Sequence, residues 1–557
     1  MSRKTLISVP AGFAFFTLIC ILCLSGCDSI QETEKKGINP LPRQTSFLDA
    51  GNMNEFLTAC FGSTTTGILL IDGDTINDSG MYRRAYSMHE FMPFWVEKKG
   101  ITANALEFVQ VLKDIRFDGL NPDDYHLPSI EKAMEGIQGN KGDIKFVGEF
   151  ELRMTRAFLT LSSDLLLGHD TLLQNAKDWK LENDLPADYG LVLCKTIEHN
   201  EVAAAIGLMR PTHRYYKAFM NEYKHLDSLE KAGGWALLNM PTDSLTKDTS
   251  AAWFKALRKR LFVETGFPSD TVSSTWSVDL SDAIRKFQFS NQVKVNGKID
   301  SVTLQKLNKD VHAKMKMLAI NMERLRWLKH KFPQPYIWVD VAKMELDYVE
   351  EDSVQFNMRV VVGKPSRRTT MLDARLQNIV FSPPWTVPPT ILKEDVIPGI
   401  AKRGASYLSR KGLKVYDKNG KMVNAGLVTE KNIRNYKIRQ APGYRSSLGE
   451  VKFNLLNPYS IYLHDTPHRE DFVKFYRANS SGCIRVHHPK EFAAFLLRDS
   501  VNYSYAMIDS ICKTRKTRYV PMRRDVMVHI VYLTNALDST GKVMYLRDIY
   551  KWDEAMK

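Results

Sequence analysis

The chain of 557 residues is 44% hydrophobic and 25% charged, which excludes a mostly disordered protein and leaves room for about three domains. Its net charge of +14, or +12 without Arg3 and Lys4, points to an anionic partner. The seven cysteines are widely spaced and do not make the dense disulfide framework of a small secreted domain.

The first element is an apolar run from about Leu6 to Leu24 behind Arg3 and Lys4, closing on Leu24-Ser25-Gly26-Cys27. It resembles a lipoprotein signal peptide over residues 1–26, with Cys27 as the lipidated first residue of the mature chain. An uncleaved membrane anchor is the alternative, because the run is long enough to span. Several acyl chains on Cys27 would hold the protein at a membrane, facing the periplasm or cell wall. Residues 27–49 are polar and read as a flexible tether. Cys20 and Cys23 lie in the signal, so Cys60, Cys194, Cys483 and Cys512 remain. Cys60 could pair with Cys194.

Residues 50–250 are mainly helical. Ala105, Leu106, Val109, Leu112 and Ile115 form an apolar stripe that stops near Asp118-Gly119-Leu120-Asn121-Pro122, and a second helix is predicted over Phe150 to Leu167. The aromatic clusters of this region read as core. Residues 253–309 form a small helical unit. One helix holds Ala283 to Phe289, a turn follows at Val295 to Asp300, and a helix capped by Asp300 or Ser301 holds Thr303 to Leu307.

From 335 to 515 the pattern changes to strands at Tyr336–Val339, Val341–Leu346, Phe356–Val362 and Ile379–Phe381. An insertion at about 391–440 carries 12 Lys and Arg against 4 Asp and Glu. Such a charge suits a carboxylate-bearing ligand, and is also what a solvated basic face looks like. In the tail, 516–557, Val528 to Leu533, a turn at Asp538 to Gly541, and Val543 to Tyr550 read as a closing β-hairpin.

The chemistry concentrates in Ile461-Tyr462-Leu463-His464-Asp465-Thr466-Pro467-His468 and Ser480-Ser481-Gly482-Cys483-Ile484-Arg485. A thiol attacks carbonyls as the thiolate, so Cys483 is the candidate nucleophile and His464, at a strand end, the candidate acid/base. The Ser480-Ser481-Gly482 turn can aim backbone N–H groups at a developing oxyanion, and Gly482 lets the chain come close to a substrate. Tyr462 shares a strand face with His464. Arg485 either steadies a thiolate, binds a substrate carboxylate or forms a strand-end ion pair. His464, His468, His487 and His488 crowd the same region. Pro467 breaks the helix that a His-x-x-x-His zinc pair would need, and Cys-x-x-Cys and His-Glu-x-x-His are missing, so neither a metal nor a cofactor is expected.

These two segments resemble the L,D-transpeptidase family with its YkuD-type catalytic domain, whose signature is a His followed by a Ser/Thr-His-Gly-Cys turn. Ser481 stands where many members have His, a departure that marks the YcbB-like branch and leaves His464 as base. Asn321 to Trp327, Val361 to Pro365, Pro383 to Pro389 (with Trp385) and Gln440 to Gly449 resemble that branch too. The resemblance implies a multidomain α+β protein: a helical scaffold domain, a small helical peptidoglycan-binding-like domain at 253–309, and a mainly β catalytic domain, a sandwich decorated with helices, with a lid at 391–440. It further implies Tyr462, Arg485, Ser481 and Trp385 as substrate-binding residues. Asp465 would orient His464, through either its carboxylate or its backbone carbonyl. The implied partners are peptidoglycan stem peptides and a D,D-carboxypeptidase that supplies tetrapeptides; no nucleic acid is expected. Water as acceptor would give an L,D-carboxypeptidase, a protein amine an anchoring transpeptidase, and an inert Cys483 a non-catalytic wall-binding lipoprotein.

Overall fold

A computed structural model describes residues 37–38, 50–61, 67–71, 74–76, 79–137, 139, 143–181, 188–239, 251–266, 273 and 275–556. The expected signal peptide, its Cys27 and all of the expected 27–49 tether except 37–38 lie outside the described residues.

The N-terminal helices close around Phe56, Trp95, Phe108, Leu112, Phe150 and Phe158. Helix Ala103–Asp114 starts where the Thr102 side chain accepts from Ala105 N. It buries Ala105, Phe108, Val109 and Leu112, while Leu106 is 55% exposed. The buried face thus runs at i, i+3, i+4, i+7 from Ala105, and Leu106, rotated about 100° away, falls off the stripe. Helix Ile144–Leu167, one and a half turns longer at its start than the pattern suggests, is capped by Asp143. Its Glu151 is fully buried and accepts from Phe94 N at 2.7 Å and Trp95 N at 2.9 Å, and the Trp95 indole donates to Thr155 at 2.9 Å. The aromatic cluster is core. Cys60 and Cys194 are both free thiols, so the disulfide considered between them is not formed.

This first core ends near Met209. Tyr215, Tyr216, Phe219 and Leu226 of helix Arg214–Lys231 pack instead into the core of the C-terminal half, together with helix Val311–Arg326. The aromatic face of helix Arg214–Lys231 is thus covered by the C-terminal half. Helix Val311–Arg326 is the strut between the halves. Arg326 donates to the Asp118 carbonyl at 2.9 Å and to Tyr216 at 3.0 Å, and Asn321 donates to Thr534 and Asn535, both at 2.8 Å. Gly119, at φ +72°, lets the Asp118 loop touch this helix, since a Cβ there would lie 2.6 Å from Ala319 Cα.

Residues 251–309 build a third core around Leu257, Leu261, Ile284, Phe287 and Leu307. Asp300 caps helix Ser301–Leu307 by accepting from Thr303 N at 2.8 Å. The unit is fixed to its neighbours by a buried cluster in which Glu264 pairs with Arg260 and Lys314, and by Gln292, which donates to the Ala342 carbonyl at 3.0 Å.

The region from 335 onward is built on one large sheet. We number its strands β1 (Tyr336–Asp340), β2 (Glu345–Glu350), β3 (Ser353–Gly363), β4 (Met371–Phe381), β5 (Val451–Leu456), β6 (Tyr462–His464), β7 (Ala478–Ser480), β8 (Ile484–Val486), β9 (Arg518–Pro521) and β10 (Met527–Val531). The spatial order is β5-β6-β8-β3-β2-β1-β10-β4-β9, and β4 also pairs with β5. The sheet therefore closes on itself, where the sequence resemblance implied a two-sheet sandwich. The strand expected at Val341–Leu346 begins only at Glu345. The Asp340 carboxylate accepts from Ala342 N and Lys343 N and turns the chain there. In the tail, Met527–Val531 runs parallel to β1 inside the main sheet, and the hairpin is Asn535–Leu537 with Val543–Tyr545. Both β9 and β10 thus belong to the main sheet.

The insertion is a separate small body. Strands Trp385–Thr386, Lys437–Gln440, Leu413–Tyr416 and Met422–Val423 lie side by side in that order, and Val396, Ile400, Leu408, Val415 and Ile438 form its own core.

Candidate active site

Three short strands set the site. In β5, Val451, Phe453 and Leu455 are buried while Lys452 and Asn454 are half-buried on the other face. β6 pairs antiparallel with β5, placing Lys452 opposite His464, and parallel with β8, placing Leu463 beside Ile484 and His464 beside Arg485. Period-two alternation then separates two sets. Phe453, Leu463, Ile484 and Val486 enter the core, whereas Lys452, Tyr462, His464, Cys483 and Arg485 share the opposite face.

Cys483 is half-buried. Its Sγ lies 3.6 Å from the Ser460 carbonyl, and Tyr462 is near enough to pull the thiol's pKa down against its burial. Trp385, in the small sheet of the insertion, lies beside Tyr462 and pulls its hydroxyl's pKa down against burial. Lys452 Nζ sits 4.0 Å from the Tyr462 ring centroid. The turn before Cys483 is held by its own atoms and by the loop after β3. Ser480 Oγ accepts from Gly482 N at 3.2 Å, Lys364 N donates to the Ser480 carbonyl at 3.0 Å, and Thr369 Oγ1 donates to the Gly482 carbonyl at 2.8 Å. Gly482, at φ +118°, holds a conformation closed to other residues, but its N–H is engaged by Ser480. Ser481 is exposed, and its hydroxyl accepts from Arg367 at 3.1 Å.

His464 is 6% exposed and its Nδ1 faces the Asp465 carbonyl at 2.5 Å. A carbonyl only accepts, so Nδ1 carries the proton and Nε2 is left as a bare base. The Asp465 carboxylate points elsewhere. It accepts from Glu450 N at 2.8 Å and Thr466 N at 2.6 Å, and it pairs with Arg469 at 2.6 Å. Orientation of His464 comes from the Asp465 backbone and not from its carboxylate. Arg485 pairs with Asp471 at 3.2 Å. His468 lies beside Glu470 and His488 beside Glu491, and among the described residues no group of three His, Cys, Asp or Glu could hold a metal ion.

The electrostatics set the resting protonation. Burial, then Arg485 and Lys452, push the His464 imidazole down to about 3, against the Asp465 carbonyl, which raises it. Burial raises the Cys483 thiol, while Tyr462, Lys452 and Arg485 pull it back. The resting pair is therefore a neutral thiol and a neutral imidazole. Lys452 and Arg485 favour the thiolate when the proton leaves. A base whose pKa is depressed stays unprotonated through the ordinary histidine range near 6.5. The rate of Cys483 acylation is thus expected to show no acid limb between about pH 5 and 8. An inflection near 6.5, followed by stopped-flow over that range, would contradict the buried neutral imidazole.

Lys452, Arg367, Thr369 and Asp471 are the residues that the sequence reading missed. For Lys452 a signal existed: Val451-Lys-Phe-Asn-Leu alternates as a strand one turn before Tyr462, and pairing the two strands places Lys452 opposite His464. Arg367 and Thr369 belong to a loop more than a hundred residues away, and no local pattern connects them to the turn.

Residues 334–511 match the L,D-transpeptidase catalytic domain (YkuD), and residues 81–222 match the Scaffold domain. A protein of Haemophilus influenzae named "Putative L,D-transpeptidase" is 34% identical over 239 residues, which cover 42% of this chain and 48% of that protein. The chain thus spans about half the length of the curated relative it matches. The crystal structure of an L,D-transpeptidase (Yku) from Stackebrandtia nassauensis covers 53% of this chain and 97% of its own, at 13% identity and a TM-score of 0.20, a likeness too slight to bear on the fold. Cys483 and His464 therefore stand within an L,D-transpeptidase catalytic domain, carried behind a scaffold domain in the same chain.

Proposed function

We propose that the protein is a peptidoglycan L,D-transpeptidase of the YcbB-like branch, acting in cell wall biogenesis. The observation that carries this reading is the placement of Cys483, Tyr462, His464, Lys452 and Arg485 on one face of adjoining strands within residues that match the catalytic domain. His464 Nε2 takes the Cys483 proton as sulfur attacks the carbonyl of the third residue of a tetrapeptide stem. The tetrahedral intermediate collapses, the amide C–N bond breaks, and D-Ala leaves with the proton from His464. A thioester remains on Cys483. The side-chain amine of a second stem then attacks it, the C–S bond breaks, and the thiol is restored with a new amide cross-link.

The Gly482 N–H already has an internal partner, so the oxyanion is stabilised chiefly by the Cys483 amide and the Tyr462 hydroxyl. Trp385, Ser481 and Arg485 line the substrate path, and the insertion covers it as a lid whose basic surface attracts stem carboxylates. The unit at 253–309 acts as a peptidoglycan-binding-like domain or as a spacer. Tetrapeptides come from a D,D-carboxypeptidase. Mass spectrometry of wall fragments incubated with the purified protein tests the reaction. Dimers joined through two third-position residues support it, tripeptides alone indicate water as acceptor, and unchanged tetrapeptides overturn it.

We propose further that acyl chains on Cys27 anchor the enzyme at a membrane. Cys27→Ser is then expected to leave an unprocessed precursor without radiolabelled fatty acid, and normal labelling of that variant would contradict the anchor.

A further inference from the structure

The insertion is joined to the nucleophile's turn by a single arginine. Arg367 lies in the loop between β3 and β4, and its side chain is only 10% exposed. Its guanidinium donates from Nε to Glu394 at 2.6 Å, and from Nη1 and Nη2 to the two oxygens of Asp395 at 2.6 and 2.7 Å. Nη1 also donates to Ser481 Oγ at 3.1 Å. One planar fork therefore grips the Leu392–Val396 turn of the insertion and the residue two before Cys483. Lysine, a point charge, could not make this pattern.

Two facts give the contact consequence. The insertion carries 4 carboxylates among 12 basic residues, and Glu394 and Asp395 are half of them. The acidic spot in an otherwise basic body thus sits on Arg367, which fixes how the insertion seats. The same loop also holds the nucleophile's turn by backbone and hydroxyl contacts, through Lys364 N to the Ser480 carbonyl at 3.0 Å and Thr369 Oγ1 to the Gly482 carbonyl at 2.8 Å. On the opposite side Trp385, in the small sheet of the insertion, lies beside Tyr462, which shares a strand face with Cys483. The insertion meets the nucleophile from two directions, and Arg367 closes one of them.

We propose that Arg367 is a positioning residue: by clamping Glu394 and Asp395 to Ser481 it holds the insertion seated and the Ser480–Cys483 turn in its acylating geometry. Its role in acyl transfer rests on the function proposed above, whereas the clamp itself does not. Glu394 and Asp395 are 46% and 42% exposed, so added salt weakens the clamp.

The test uses the purified full chain and two probes. Iodoacetamide alkylation of Cys483, read on its own peptide by mass mapping so that the other free thiols Cys60, Cys194 and Cys512 are counted apart, reports access to the thiol whatever the enzyme's reaction. A carbapenem reports acylation. Arg367→Ala and the double variant Glu394→Gln/Asp395→Asn are each expected to raise the alkylation rate several-fold. They should also slow acylation at saturating carbapenem by about 10- to 100-fold, the scale of a misplaced reacting group. Arg367→Lys should fall between them and wild type, and added salt should slow wild type but not Arg367→Ala. In the combined triple variant the effects should not add, because one contact is lost in each case. If Arg367→Ala fails to fold, the carboxamide variant, altered only at half-exposed positions, carries the same comparison. Alkylation at the wild-type rate, or additive effects in the triple variant, overturns the clamp. Faster alkylation with unchanged acylation overturns the positioning role. Absence of any carbapenem adduct on wild-type Cys483 overturns the proposed function and leaves the alkylation comparison to decide the clamp.

Discussion

Cys483→Ala is expected to abolish both the covalent carbapenem adduct and all cross-linking, while His464→Ala still binds donor but acylates about 10²- to 10⁴-fold more slowly. The two losses differ because the residues do different things. Without sulfur there is no atom to acylate. Without His464 the thiol, which burial keeps protonated, must lose its proton to water. Lys452 and Arg485 remain in His464→Ala and still favour the thiolate, so raising the pH should recover part of its rate. Intact-protein mass spectrometry reads the adduct directly. An adduct that persists in Cys483→Ala, or a His464→Ala rate equal to wild type, would remove the acyl-transfer mechanism.

The largest effect on stability is expected at Arg326. Its side chain is 1% exposed and pairs with Glu323, itself 7% exposed, and it also donates to Asp118 and Tyr216. Arg326→Ala leaves the Glu323 carboxylate buried without its cation, at a cost of about 3–5 kcal/mol. Glu323 keeps its bond from the Trp327 indole at 2.7 Å, which does not neutralise the charge. Replacing both, as Arg326→Met/Glu323→Gln, should recover much of the loss because no unpaired charge remains. Urea unfolding measures both variants. A loss below about 1 kcal/mol in the single variant would mean that water reaches this strut.

Much of the site was readable before any fold was known. Tyr462 and His464 sit two apart before a proline, and a Ser-Ser-Gly turn delivers Cys483; these are local signals of strand end and tight turn, and β6 and the turn stand where they point. The helix from Phe150 to Leu167 and a cap at Asp300 or Ser301 were legible for the same reason, since caps and 3.6-residue periodicity act over a few neighbours, and the structure starts that helix earlier, at Ile144, and settles the cap on Asp300. Leu106 shows the limit of that reasoning. It is apolar and adjacent to the stripe, but only packing decides which edge of a helix is covered.

What the sequence by itself determined was therefore which candidate groups to look for and the class of the elements that carry them, because thiol, imidazole, proline and glycine act through their own chemistry and their own backbone angles. Tertiary structure alone decided the electrical state of those groups. Lys452 meets His464 only through the β5–β6 register, Arg367 meets Ser481 across a separation of more than a hundred residues, and the tautomer of His464 follows from a carbonyl held in place by buried Asp465. It also decided that the sheet closes through β4 and β5, and that β9 and β10 complete it. Long-range pairing and the desolvation it brings are sums over distant neighbours, and no local stretch of sequence contains them.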